Sequence, residues 1–209
     1  MIPLDVLSVF FLASALLALA PGPDNIFVLT QSALSGPRAG LVVTFGLCTG
    51  LVVHTTAVAL GVAVIFQTSA LAFTLLKVAG AGYLLYLAWG AFRAGASRLP
   101  AGEVPRLSPG RLYRRGIVMN VTNPKVSIFF LAFLPQFADP ARGPLVLQIL
   151  LLGAAFAVAT VLVFGGVALF AGALGQWLAR SAGAQRVMNR VAGTVFAALA
   201  VKLLVTERA

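Results

Sequence analysis

Apolar residues run through this chain in long stretches, and short polar punctuation divides them into six helices. The first runs from about Leu4 to Leu34 and is interrupted at residues 21–25. The second covers Ala39–Phe66 and the third Ala70–Phe92. A long polar segment, Arg93–Arg115, holds Pro100, Pro105 and Pro109. The fourth helix follows from Gly116 to Phe137, interrupted at residues 123–125, and the fifth from Leu145 to Leu174. A basic linker, Arg180–Arg190, leads to the sixth at Val191–Val205. A membrane-spanning helix needs roughly 20 apolar residues. The pattern therefore predicts an all-α integral membrane protein with six transmembrane helices, the first and fourth broken.

The two interruptions carry the chemistry. One is Pro21-Gly22-Pro23-Asp24-Asn25 and the other Asn123-Pro124-Lys125. Lipid offers no hydrogen bonds to a backbone opened by proline, so such breaks persist only where protein or a wet cavity satisfies them. A charge at that depth is costly and reads as functional. One break supplies an acid and the other a base, a pairing suited to a small zwitterion. Asp24 is the leading candidate: a carboxylate that binds a substrate ammonium or takes up a proton. Its bland alternative is an N-cap on the restarted helix, and the two can coexist. Lys125 is read as a partner for Asp24 or for a substrate carboxylate, against a structural pair or snorkelling. Asn123 and Asn25 join them as candidates for substrate binding or proton coupling, and Asn123 is also suited to satisfying freed backbone groups. Pro21, Gly22, Pro23 and Pro124 are architectural, ending one half-helix and exposing the amides of the next, which favour an anion. Asn25, Thr30 and Gln31 read first as helix–helix hydrogen-bonding groups.

Lys and Arg set the orientation. Arg93, Arg98, Arg106, Arg111, Arg114 and Arg115 fall in the third connection, Arg180, Arg186 and Arg190 in the fifth, and Arg38 in the first. With six spans these share one side, the cytoplasm. The halves also echo each other. Lys77-Val78-Ala79-Gly80 matches Arg190-Val191-Ala192-Gly193, and Pro23 matches Pro124. Three helices per half require inversion, so the chain is expected to be one domain of two inverted three-helix repeats, about 1–92 and 113–209, joined by a basic cytoplasmic loop at about 93–112. Paired broken helices in inverted repeats point to a transport site at the repeat interface.

Composition narrows the classes. The 209 residues are 60% hydrophobic and 10% charged, with mean hydropathy +1.01. The net charge of +10 lies in connecting segments rather than on a basic and aromatic surface, which argues against nucleic acid. Ala18-Leu19-Ala20 has the look of a cleavage site, but residues 1–5 lack Lys and Arg, so no signal peptide is expected. The single cysteine, Cys48, excludes an internal disulfide, and the single histidine, His54, cannot hold a metal by itself. Their six-residue separation puts them on different helix faces, so no nucleophile and base meet and no enzyme is expected. No cofactor is called for. Gly46, Gly50, His54, Ala57 and Gly61 share one face of the second helix and should permit close packing. Gly80, Gly82, Gly90, Gly165 and Gly166 read as helix contacts, and Tyr86 as an interface anchor. Phe27, Ile128, Phe129 and Phe130 are the candidates for side-chain selectivity.

The Pro21–Asn25 motif, the glycine-rich second helix, the run from Lys77 to Leu87 and Asn123-Pro124-Lys125 together resemble the LysE/RhtB amino-acid exporter family along nearly the whole chain. The resemblance implies a multi-pass carrier of the bacterial inner membrane that expels an amino acid or close derivative, is coupled to protons and can pair as a homodimer. The alternatives are a carrier of another small metabolite or cation, or a membrane assembly factor without transport activity.

Overall fold

The computed structural model describes residues 2–68, 70–94, 107–171 and 181–205. All the regular structure among them is helical. In chain order the helices are α1 Leu4–Leu19, α2 Pro23–Ser35, α3 Pro37–Thr68, α4 Ala70–Arg93, α5 Pro109–Val121, α6 Pro124–Ile128, α7 Leu145–Leu169 and α8 Ala182–Val205. Beyond α6 the chain continues through a widened π turn, Phe129–Phe133, and a tight 3₁₀ turn, Leu134–Phe137. Pro135 has no N–H to offer the Leu131 carbonyl, which accounts for the loss of regular α geometry there.

Three described stretches are each long and apolar enough to cross a bilayer: Pro37–Gly61, Leu145–Leu169 and Gly183–Val205. Two helix pairs do so jointly, bent at their breaks: α1 with α2 by 63°, and α5 with the segment Pro124–Phe137 by 50°. The described residues thus offer up to five spans by length and composition.

Two boundaries differ from the hydropathy reading. The expected loop through Arg115 becomes helix from Pro109, so Arg111, Arg114 and Arg115 lie on α5. Proline at the first helical position is pre-set for the turn and loses no needed N–H. The linker expected up to Arg190 is helical from Ala182, with Arg186 and Arg190 on α8. Apolarity ends before the helix does, because Arg and Gln are good helix formers. Arg98, Arg106 and Arg180 lie outside the described residues.

α3 packs along α5 and α7, α7 reaches α1, and α4 lies along α8. Small residues set the closest approach. A Cβ on Gly46 would come within 3.1 Å of the Gly116 Cα, and one on Gly116 within 2.6 Å of the Val43 carbonyl. The expected small-residue face of α3 therefore holds for Gly46, Gly50 and His54, all of which face α5. It ends there: Ala57 is exposed and Gly61 faces open space. Gly80 does pack closely, on Ala132, but Gly82, Gly90 and Gly166 have open space and are not helix contacts. The core centres on phenylalanines that meet in tilted and edge-to-face pairs. Phe129 meets Phe133 at 4.8 Å and Phe156 at 5.3 Å, Phe130 meets Phe156 at 5.1 Å, and Phe10 meets Phe137 at 5.1 Å. Phe129 and Phe130 are fully buried in this cluster.

Candidate functional site

The two breaks meet. The Asn123 amide donates from Nδ2 to Asp24 Oδ2 at 2.9 Å. The Lys125 ammonium donates to the carbonyls of Leu17 at 3.1 Å and Ala20 at 3.0 Å, at the end of α1.

The reason lies in the prolines. In an uninterrupted helix the Leu17 carbonyl accepts the N–H of residue 21, and that of Leu19 accepts the N–H of residue 23. Both positions are proline and have none to give. Lys125 takes the Leu17 carbonyl. Asn25 Nδ2 donates to the carbonyl of Ala18 at 2.7 Å, and lies 3.5 Å from that of Leu19. Asn25 is thus a backbone cap on α1. Gly22 lets the ammonium in: a Cβ there would sit 3.2 Å from Lys125 Nζ.

The second break is closed more locally. Pro124 withholds its N–H from the Asn120 carbonyl, which instead accepts the backbone N–H of Asn123 at 3.0 Å. His54 Nε2 lies 3.2 Å from the same carbonyl; a carbonyl only accepts, so this contact needs the proton on Nε2. Asn123 also caps α6, its Oδ1 accepting the backbone N–H of Lys125 at 3.1 Å.

Asp24 is not an N-cap. Gly22 holds that position, and no side chain caps α2. Asp24 is 2% exposed, and its Oδ1 has no hydrogen-bond partner among the described residues. Nor do Asp24 and Lys125 form an ion pair within 4.0 Å; the ion pair among the described residues is Arg142–Asp139, at 2.9 Å on a connecting turn. Lys125 is 7% exposed and uses two of its three N–H groups on carbonyls.

Asn120 is a residue that the sequence reading passed over. It is 2% exposed, and its Oδ1 also has no partner among the described residues. Its signal was available, since it stands one turn before Asn123 and at the spacing of Gly116. Phe27 carries the Arg115 guanidinium over its ring at 4.7 Å. Lys77 donates to the Leu204 carbonyl at 3.2 Å, in the last turn of α8. Among the described residues no cluster of three or more His, Cys, Asp or Glu could hold a metal ion.

An arrangement of this kind offers a buried carboxylate oxygen and a buried ammonium hydrogen within one crossing. It is suited to a small molecule bearing both an ammonium and a carboxylate.

Residues 15–207 match the family described as LysE type translocator. The chain is 35% identical over 187 residues to the homoserine/homoserine lactone efflux protein of Salmonella typhimurium, covering 90% of each chain. It is 33% identical to an uncharacterized membrane protein of Vibrio cholerae serotype O1, again over 90% of each. A relative in Bacillus subtilis, the uncharacterized membrane protein YrhP, is 27% identical over 90% of this chain and 93% of its own. No solved structure matches significantly. On the extent of that match, this multi-pass membrane protein belongs to the LysE type translocator family.

Proposed function

We propose that the chain is a secondary active exporter of an amino acid or close derivative across the bacterial inner membrane, driven by protons. Homoserine and its lactone are the first substrates to test, since the Salmonella relative is named for both. The observation that carries the proposal is Asp24: a carboxylate 2% exposed, at the crossing of two broken helices, with one oxygen on Asn123 and the other without a partner among the described residues. An unpaired buried acceptor is expensive. A substrate ammonium arriving there relieves the cost, and so does a proton; alternation between the two is the exchange an antiporter needs.

The same reading takes the chain as one domain of six spans in two inverted repeats, with the 93–112 segment in the cytoplasm. Packing supports the inversion. α3 lies on α5, the first half of the second bent pair, as α7 lies on α1, the first half of the first. The exchange of partners is what a two-fold axis in the membrane plane produces.

Counterflow of radiolabelled amino acids in proteoliposomes, across a panel that includes homoserine and its lactone, tests the function. Uptake should be saturable and accelerated by an imposed proton gradient. A protein that reconstitutes folded but exchanges none of them overturns the proposal. Orientation has its own test. After Cys48 is replaced, a thiol introduced by Gly102→Cys, outside the described residues, should be shielded from impermeant reagents in intact cells.

A further inference from the structure

A cavity of about 300 Å³ lies between α4 and α8 and reaches the first break. Its floor is Pro21 and Lys125, its walls include Tyr86, Gly90 and Phe196, and Asn189 stands at the far end. The volume is at the lower limit of ligand pockets, which run from about 300 to 1,000 Å³, and the mixture of apolar and aromatic walls with one fixed charge is usual for them. Asp24 does not line it. Lys125 is therefore the charge that the cavity presents.

We infer that this cavity is a carboxylate chamber: a small amino acid enters between α4 and α8 and sets its carboxylate on Lys125. Three observations carry this. Lys125 lines the cavity although it is 7% exposed. Two of its N–H groups are fixed on the Leu17 and Ala20 carbonyls, so the head is held in place while one N–H stays unpartnered among the described residues. The far end of the cavity, at Ala94 and Asn189, adjoins the arginine-bearing ends of α4 and α8 that the charge pattern assigns to the cytoplasm, the side from which an exporter loads. Asn189 Nδ2 donates to the Ala94 carbonyl at 3.2 Å, tying the two helices where the chamber ends. The inference rests on the exporter reading and adds to it where the substrate sits and by which group it is held.

The choice of carboxylate has a sharp consequence. Homoserine has one and its lactone does not, so the chamber discriminates between two molecules that share an ammonium. The test uses Gly90→Cys in a Cys48→Ala background; a Cβ at Gly90 meets nothing within 4 Å, so the change fits. Gly82→Cys, on the same helix, outside the cavity and equally open, is the control. In reconstituted protein, an anionic methanethiosulfonate should modify position 90 severalfold faster than a cationic one of similar size, and L-homoserine should slow it severalfold. The lactone should slow it less, and position 82 should show neither effect. Adding Lys125→Met should remove the preference for the anionic reagent. If L-homoserine and its lactone protect equally, or neither protects while counterflow persists, the carboxylate chamber is overturned and the exporter stands. If the Cys48→Ala parent exchanges nothing across the amino-acid panel, the exporter reading fails and the chamber with it.

Discussion

At the first break two prolines, Pro21 and Pro23, withhold N–H groups from the carbonyls of Leu17 and Leu19; at the second, Pro124 withholds one from Asn120. The same chemical insult is met in different ways. The Asn120 carbonyl is reached by a neighbour three residues on, with His54 in support. The end of α1 is served by Asn25 from beyond its own break and by Lys125 from the other bent pair. The second break is close to self-sufficient, while the first depends on the second. Asn123 strengthens this dependence through Asp24. Relative movement of the two bent pairs therefore has to disrupt the Lys125 and Asn123 bonds, and leaves the Asn123 N–H on the Asn120 carbonyl intact. The teaching is that a conformational change, if it separates these pairs, is felt first at the two charges.

Asp24→Asn should have the largest effect on transport. It keeps size and hydrogen bonding but removes the charge and the titratable proton. Proton-driven efflux should fall more than about tenfold, the equivalent of one charge-assisted hydrogen bond of about 1.4 kcal/mol or more, while the amount of folded protein in the membrane stays unchanged. Efflux assays beside a membrane blot decide it. Efflux at the parent level would make Asp24 a structural bridge to Asn123 and nothing more.

Lys125→Met comes next and separates the structural from the functional half of that residue. It strips an ionic donor from two carbonyls, each worth about 1.5–3 kcal/mol, so the melting temperature in detergent and transport should both drop. Adding Pro21→Ala supplies an N–H that reaches the Leu17 carbonyl once Ala20, now at ψ 125°, turns helical, and should recover part of the melting temperature. Transport should stay lost, because no ammonium returns to the cavity. Recovery of both would mean that Lys125 is only a cap for α1.

Sequence reading reached the two breaks because proline, glycine and charge stand out against apolar runs. It paired Asp24 with Lys125 because opposite charges in lipid invite pairing. The backbone changes that answer: proline makes carbonyls as needy as carboxylates, and the i+4 rule already names Leu17, Leu19 and Asn120 as the ones left over. Which donors reach them depends on how α2 and α6 sit against the end of α1 and how α3 sits against α5, which no linear pattern carries. Helix ends at Pro109 and Ala182 were hidden because hydropathy tracks the membrane and not the helix. The cavity was invisible for a related reason, as Tyr86, Gly90, Asn189 and Phe196 are unremarkable residues until α4 is laid against α8.

Gly22→Ala tests how closely Lys125 must approach. The added methyl would lie 3.2 Å from Nζ and 3.8 Å from Cε, so the tip of a flexible side chain has to yield by a few tenths of an ångström. Folding should suffer little, and φ near −172° admits alanine without strain. Exchange of homoserine should weaken more than exchange of its lactone. Equal loss for both would locate the effect in α1–α2 geometry rather than at the ammonium.

His54→Leu should have the smallest effect, and it bears most directly on the contrast between the breaks. His54 Nε2 is 3.2 Å from the Asn120 carbonyl, and its ring lies 5.6 Å from that of Phe130. That carbonyl already accepts the Asn123 N–H at 3.0 Å, so losing the imidazole leaves it singly satisfied instead of orphaned. Leucine keeps the apolar contact with Phe130. The cost should be one neutral hydrogen bond, about 0.5–1.5 kcal/mol, read as a small fall in melting temperature with efflux kept within about twofold, a change under about 0.4 kcal/mol. The pH profile of efflux should not move. A self-sufficient second break requires this mildness. Were efflux to collapse, or its pH profile to shift, His54 would belong to the proton path, and the second break would be as dependent on outside groups as the first.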